Sequence, residues 1–301
     1  MSGNDARPEL SWRPLAESDL QAVIDLALAC LSADGGQPFA ASPGFVRQRY
    51  LSGTQTQAAW HGARLVCASS LRQPAAAAGA QPAAVVTTGL VHPQWRRRGI
   101  GGSAFDWAAG RAGNAGLRAE TEALNDGAHA LYLSRGLSQV FAEDVMQLPA
   151  QVSVPAPDPP VGLGLLQWGD ADPARFFAVY VAAFRDRPGF PDWPQERWIE
   201  WIRADEDFRP EWTLLATLAD GDVGFIAGEA TGWIAQMGVV PSARGRGIGA
   251  LLIGEAVQRM RSARETTITL NVNINNPHAA ALYARLGFVT VGRRARYQAR
   301  A

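Results

Sequence analysis

The chain has no lysine: all 28 of its basic residues are arginine. That absence excludes any mechanism built on a lysine nucleophile, a Schiff base or the lysine of a nucleotide-hydrolysing phosphate loop. The arginines are balanced by 28 acidic residues, so the net charge is zero and no global field draws the protein to nucleic acid or to an anionic membrane. Cysteine is nearly missing too. Cys30 and Cys67 sit in apolar surroundings without metal-ligand spacing, which reads as two reduced core thiols and no metal site. No stretch approaches the roughly 18 uninterrupted apolar residues of a membrane span. Met1 to Pro14 is polar and lacks a run of signal-peptide type. These absences lead to the expectation of a cytoplasmic protein, monomer or homodimer, with no membrane or nucleic-acid partner.

What the chain does contain is one pattern written twice. Residues 91–101 read Val-His-Pro-Gln-Trp-Arg-Arg-Arg-Gly-Ile-Gly, and residues 239–249 read Val-Val-Pro-Ser-Ala-Arg-Gly-Arg-Gly-Ile-Gly. Pro93, Arg96, Gly99 and Gly101 recur as Pro241, Arg244, Gly247 and Gly249. Downstream, Asn125, Leu131-Tyr132 and Gly136 recur as Asn276, Leu282-Tyr283 and Gly287. Two motifs in the same order at nearly the same spacing indicate a tandem duplication.

The chain of 301 residues suits two domains of ordinary size. The first is expected over 1–148 and the second over 161–301. Residues 149–160 hold five prolines in twelve positions and read as a semi-rigid linker. Each half opens on a short strand and an amphipathic helix. Ser18-Asp19 precede Leu20, Val23, Ile24, Ala27 and Leu31 at helical spacing in the first, and the helix over 173–184 is its counterpart. Strands follow near 57–72 and 83–91, separated by the Ala/Gly/Pro-rich loop 73–82, which is expected to be mobile. Strands over 213–219, 223–229 and 232–240 are expected in the second half. The motif helices are expected over 100–112 and 248–262. Alternating strands and helices predict an α/β fold of two layered domains, each a mixed, mostly antiparallel sheet flanked by helices.

Arg244-Gly-Arg-Gly-Ile-Gly lies between a strand and a helix. Its glycines allow a tight turn and leave room for a ligand to reach the backbone. Successive amide N–H groups at the start of the helix, aided by its dipole, can then hold one anion. A dinucleotide-binding fingerprint would place G-x-G-x-x-G directly after the first strand; the loop here comes late in each half and lacks that pattern, so that reading fails. A pyrophosphate bound without a metal fits what remains.

These residues resemble the GNAT superfamily of acyl-CoA-dependent N-acyltransferases. Its cofactor loop, Gln/Arg-x-x-Gly-x-Gly/Ala, is matched by Arg244 to Gly249 and by Arg96 to Gly101. Its second motif, an Asn followed by a helix with Leu-Tyr and then Gly-Phe, is matched by Asn276, Leu282-Tyr283 and Gly287-Phe288. The first half departs from it, with Gly136-Leu137 in place of Gly-Phe and the more acidic Glu120-Thr-Glu-Ala ahead of Asn125.

The resemblance implies acetyl-CoA as cosubstrate, a primary amine of a small molecule as acceptor, and direct attack in a ternary complex. Amides at Val239 and Val240 would meet the pantetheine arm and the thioester carbonyl. Arg244, Gly245, Arg246, Gly247, Ile248, Gly249 and Ala250 would hold the pyrophosphate. Tyr283 would protonate the departing thiolate. Glu229 is the candidate base, with Gln236 as the nearest other polar side chain. Asn276, followed by Pro277, reads as a helix cap with a cofactor contact beside it. In the first half the matching cofactor residues are Val91, Arg96, Arg97, Arg98, Gly99, Gly101, Asn125 and Tyr132, and catalysis is expected in the second half. Trp193 would line the acceptor site, whereas Trp198 and Trp201 read as core. An acyl-CoA-binding sensor without turnover, and acetylation of a protein or peptide, stay open as alternatives.

Overall fold

The computed structural model describes residues 9–52, 55–73, 84–155, 158–187 and 190–299. It falls into two compact units, one made of Met1–Val145 with Val291–Ala301 and the other of Met146–Thr290. Most of the loop expected to be mobile, from residue 74 on, lies outside the described residues, as do residues 156 and 157 of the proline-rich stretch.

Unit 1 begins with β1 (Ser11–Arg13) and α1 (Leu20–Asp34). A short α2 (Pro43–Val46) then runs into one π turn at Arg47–Leu51. The expected strand near 57–72 is a hairpin of β2 (Gln55–His61) and β3 (Arg64–Arg72), and β4 (Val85–Val91) follows. Next come α3 (Ile100–Ala112), β5 (Leu117–Thr121), α4 (Asp126–Ser134) and β6 (Leu137–Leu148). Strands β1 to β4 pair antiparallel in sequence order, and β4 pairs parallel with β5. Each helix is amphipathic for a simple reason. In α1, Val23, Ile24, Ala27 and Cys30 recur on one stripe and are buried, while Gln21, Asp25 and Ser32 face solvent. In α3 the buried residues are Ile100, Ala104, Phe105, Ala108 and Ala112.

Unit 2 repeats the plan with β7 (Gly164–Gln167), α5 (Pro173–Phe184), α6 (Gln195–Arg203), β8 (Phe208–Leu218) and β9 (Gly221–Glu229). It continues through β10 (Trp233–Val239), α7 (Ile248–Ser262), β11 (Ile268–Asn273) and α8 (Pro277–Arg285). Strands β7 to β10 are antiparallel neighbours and β10 runs parallel to β11. The core on the α7 side gathers Leu214, Ile226, Leu252, Ile253, Ala256 and Met260. An aromatic core on the α5–α6 side holds Trp168, Phe176, Tyr180, Trp198 and Phe225.

Two boundaries differ from the sequence-based ones. Residues of the proline-rich stretch are built into unit 2: Val152 and Val154 pack against its core, and Arg261 donates to the carbonyls of Pro149 (3.1 Å) and Val152 (2.6 Å). The last strand, β12 (Val289–Ala299), belongs to unit 1 from Val291 onward, although the second repeat supplies it. There it pairs antiparallel with β5, from Ala295 opposite Thr121 to Gln298 opposite Arg118. The edge of β5 needs a hydrogen-bonding partner, and β12 provides one. The fit also depends on missing side chains. A Cβ on Gly292 would stand 2.0 Å from the backbone nitrogen of Gly36.

Candidate functional site

In unit 2 the parallel pair β10–β11 is joined only at Trp233–Thr269 and Ile234–Leu270. Beyond that point β10 keeps β9 as its partner on one side and, among the described residues, has no strand pairing on the other, so a wedge opens between β10 and β11. A bulge at Ala235, between the pairs Ile234–Gly228 and Gln236–Ala227, marks where it begins. Further along β10, the Val240 N–H is bound to the Val223 carbonyl at 3.0 Å. By alternation, the peptide groups of Met237 and Val239 point away from β9, into the wedge. The amide expected of Val240 is therefore spent inside the sheet, and Val239 is the free one of the pair.

The loop that follows contains the predicted cradle. Gly245 and Gly247 have φ of +76° and +81°, and a Cβ at either would stand in open space. Gly247 caps α7 without a side-chain partner, and the first bond across the helix start runs from Leu251 N–H to Gly247 O at 3.1 Å. The N–H groups of Ile248, Gly249 and Ala250 therefore lack helical acceptors and converge at the positive end of α7. Gly249 is needed for another reason: a Cβ there would lie 3.3 Å from Leu282, so it brings α7 close to α8.

Arg244 differs from its expected role. Its Nε donates to the Val239 carbonyl (3.1 Å) and its Nη2 to the Ala183 carbonyl (3.2 Å), so it braces the loop against the end of α5. Arg246, exposed like Arg244, makes no such bond among the described residues and stands beside the amides. Asn276 caps α8, accepting the Ala279 N–H at 3.2 Å, with Pro277 in the first turn. Seven residues on, Tyr283 is buried to 7% exposure next to Phe288, and burial pushes its phenol up to about 12. It holds its proton throughout the physiological range.

At the bulge end of the wedge lies a small pocket lined by Trp201, Asp205, Phe208, Glu229, Ala235 and Gln236, among others. Glu229 and Gln236, the two polar candidates from the sequence, thus share one pocket. Burial first, then the charges of Asp205 and Asp207, push the Glu229 carboxyl up to about 7. The Oε1 of Gln236 is buried without a hydrogen-bond partner. Trp193 is not among the pocket's lining residues; it packs edge-on against Trp201, ring centres 5.6 Å apart. Trp198 is core, as expected, but Trp201 is 46% exposed and forms part of the pocket wall. Residues three apart share a helix face, so the spacing alone does not separate the core tryptophan from the one at the pocket's rim. A further polar group the sequence reading passed over is Asn271, one residue beyond the last β10–β11 pair, whose Oδ1 is buried without a partner.

Unit 1 has the same wedge in a different state. Strands β4 and β5 pair from Val85–Leu117 to Thr87–Ala119 and then part. Arg96 turns back as Arg244 does, its Nε on the Val91 carbonyl at 3.1 Å. Here, however, Asp34 at the end of α1 takes both remaining guanidinium nitrogens (2.7 and 2.6 Å) and also accepts the Asn125 amide at 3.1 Å. One carboxylate therefore bridges the loop and the start of α4, across the mouth of the wedge. Behind it the Gln37 N–H is bound to the Glu122 carbonyl at 2.9 Å.

The other first-half candidates follow suit. Gly99 caps α3 at φ +83° with open space where a Cβ would be, and a Cβ on Gly101 would lie 3.6 Å from Val91 and from Leu131. Arg97 sits at φ +63°, where the second copy has Gly245, and Arg98 lies over Trp95 at 4.9 Å. Asn125 caps α4 through the Ala128 N–H (2.9 Å). Tyr132 is packed between Phe105 and Tyr297, ring centres 6.0 and 4.8 Å away. Cys30 and Cys67 are buried, which pushes their thiols up to about 11 and about 12. Among the described residues, no group of histidine, cysteine and carboxylate side chains is placed to hold a metal, and no helix is long and apolar enough to cross a membrane.

A splayed parallel pair that leads to a glycine loop and a helix N-terminus, present twice, defines a tandem acyltransferase fold. The chain belongs to the acetyltransferase (GNAT) family, whose description matches residues 43–137 and 174–288, together more than half of its length. Among its relatives is the mycothiol acetyltransferase of Gordonia bronchialis, 32% identical over 225 residues, covering 70% of this chain and 71% of that protein. The mycothiol acetyltransferase of Paenarthrobacter aurescens is 29% identical over 211 residues, 66% of this chain, and the match spans only 65% of that protein. A GCN5-related N-acetyltransferase from Sphaerobacter thermophilus shares the fold with a TM-score of 0.75 at 23% identity, covering 96% of this chain and 95% of that one. A tandem GNAT protein from the clavulanic acid biosynthesis pathway does so with a TM-score of 0.62 at 22% identity, covering 97% and 98%.

Proposed function

We propose that the protein transfers an acetyl group from acetyl-CoA to a primary amine of a small molecule, and that unit 2 performs the chemistry. The observation that carries this reading is the layout of β10. Its free edge runs from a pocket holding Glu229 at the bulge to three unpaired amides at the start of α7, about 13 Å along an extended strand. An acyl-CoA lying on that edge would meet the Val239 amide and would place its pyrophosphate on the Ile248–Ala250 amides. Its thioester would then lie toward the pocket. The amine nitrogen attacks the thioester carbonyl carbon, Glu229 takes the amine proton directly or through water, the C–S bond breaks, and Tyr283 gives its proton to the thiolate.

In unit 1 the Asp34 bridge stands where the pantetheine arm would pass and places a carboxylate beside the anion cradle, which supports an accessory role for that half. A narrower reading, favoured by the 32% identity to a mycothiol acetyltransferase, makes the acceptor a cysteinyl aminosugar. Assay of CoA release with an amine panel that includes such an acceptor tests both. Tyr283→Phe is expected to lower turnover by roughly 10²–10⁴ with acetyl-CoA affinity nearly unchanged, and Tyr132→Phe to do much less. The reverse ranking would move the active site to unit 1. Tight acetyl-CoA binding with no release across the whole panel would favour a sensor.

A further inference from the structure

Unit 1 concentrates arginine on one face of its sheet. The strand registers place Arg72, Val86, Arg118 and Gln298 in one row across β3, β4, β5 and β12, with Glu120 and Arg296 opposite each other in the next row. Arg49 reaches this face from the π turn, and Arg294 lies two residues before Arg296 on β12. Among the described residues these five guanidinium groups meet three carboxylates, those of Glu120, Glu122 and Glu143. The fold does not demand the cluster. The repeat aligns Arg118, Glu120 and Glu122 with Thr269, Asn271 and Asn273, all neutral.

The carboxylates are shared unevenly. Arg49 takes Glu120 (2.8 Å) and Glu122 (3.1 Å), Arg72 takes Glu120 (3.0 Å), and Arg294 lies 3.2 Å from Glu122 and 4.0 Å from Glu143. Little is left for the other two. Arg296 stands 3.8 Å from Glu120, beyond hydrogen-bond reach. Among the described residues Arg118 donates to the neutral Gln298 alone, at 3.4 Å, and its Nε, like that of Arg72, is buried with no acceptor. Arg118 and Arg296 are diagonal neighbours on adjacent strands, so their charges repel. Burial pulls the Arg296 guanidinium below its ordinary value, and Arg294 and Arg118 pull the same way against Glu120 and Glu122. Arg296 also lies over the Phe141 ring at 4.8 Å. Stacking uses a face of the guanidinium and leaves its edge donors available, and with the side chain 40% exposed a solute can reach them.

We propose that this face of unit 1 binds a phosphate dianion, free or as a phosphate monoester, between Arg118 and Arg296 with Arg72 beside it. Two guanidinium groups that no carboxylate neutralises match two negative charges, and their planar forks match oxygens carried on one centre. A dicarboxylate spreads the same charge over two centres, and a monoanion leaves one guanidinium uncompensated. The site uses no residue of either wedge or of the loops at the starts of α3 and α7, because Arg118 lies where β4 and β5 are still paired. It therefore stands apart from the acetyltransferase reading and gives the accessory half a ligand of its own.

The test is calorimetric titration of the full chain with inorganic phosphate, glycerol 3-phosphate and succinate, each at constant ionic strength in chloride. Wild type is expected to bind both phosphates, and Arg118→Gln and Arg296→Gln each to weaken that binding at least tenfold while acetyl-CoA affinity stays unchanged. Tighter binding of the monoester supports the site with an esterified ligand, and equal binding supports it with free phosphate. Thermal denaturation gives a second readout. Phosphate should raise the melting temperature of wild type more than that of either variant, so the gap between them widens with concentration. A gap that does not change with phosphate, or binding weaker than about 10 mM, overturns the proposal. So does succinate bound as tightly as phosphate. Helix-start amides also attract phosphate, so binding lost in Gly247→Val but kept in both arginine variants places the anion there and overturns the proposal as well.

Discussion

Glu229→Gln should make the protein less active and more stable, and the two effects have one cause. In the folded protein the Glu229 carboxyl is pushed from 4.5 to about 7 by burial and by Asp205 and Asp207. In the unfolded chain it returns to the ordinary value. The folded pKa is therefore the higher one, and between about pH 4.5 and 7 the folded state binds the extra proton. The protonated carboxyl's contribution is fully present below pH 4.5 and is lost as pH rises through 7. A shift of that size corresponds to about 3 kcal/mol by linkage. Replacement by the uncharged, nearly isosteric Gln removes this loss. Chemical denaturation of wild type and variant should give matching stabilities near pH 4 and a gap opening toward about 3 kcal/mol in favour of the variant by pH 8. The same substitution removes the proposed base, so kcat/KM should fall by roughly 10²–10⁴. In wild type, kcat/KM should decline below pH 7, to roughly a tenth of its plateau one unit lower. Identical pH dependence of stability in the two proteins would refute the buried, unpaired state of Glu229. Retained turnover in the variant would refute its role as base.

Calorimetry of the wild-type protein should show one equivalent of acetyl-CoA, because Asp34 bars the second wedge; two equivalents would refute that reading. Gly247→Val should weaken this binding by more than tenfold, about 1.4 kcal/mol, by placing a side chain in front of the free amides, and unchanged affinity in a folded variant would remove the loop from the site. The same variant should lose about 1–3 kcal/mol of stability, since φ at this position is +81°. Arg97→Gly should instead stabilise unit 1 by up to about 1 kcal/mol, as it relieves the left-handed backbone that the second copy gives to a glycine; a lower melting temperature would contradict this.

The parts of this site that were legible in the residues are those set by local geometry. Left-handed turns at Gly99 and Gly247 favour a residue without a side chain, and the Asn-Pro pair at 276–277 suits a helix cap and first turn. The duplication then turned two weak local signals into one strong one, which is why fold class and family could be read before any coordinates. Glu229 and Gln236 were found because they lie near the loop in sequence.

Tertiary structure decided where long-range partners compete for the same group. Nothing in the β pattern of residues 289–299 names β5 as the partner of β12, because a strand's edge will pair with any complementary edge. Arg244 reads as a phosphate ligand until the Val239 and Ala183 carbonyls claim it, and the Val240 amide reads as free until Val223 takes it. Asp34 and Trp201 had no motif at all. One bridges the unit 1 wedge and the other lines the unit 2 pocket because of where α1 ends and how α6 is rotated. The two halves share a sequence pattern, yet the placement of a few carboxylates and arginines, set by packing across distant segments, leaves one wedge barred and the other open.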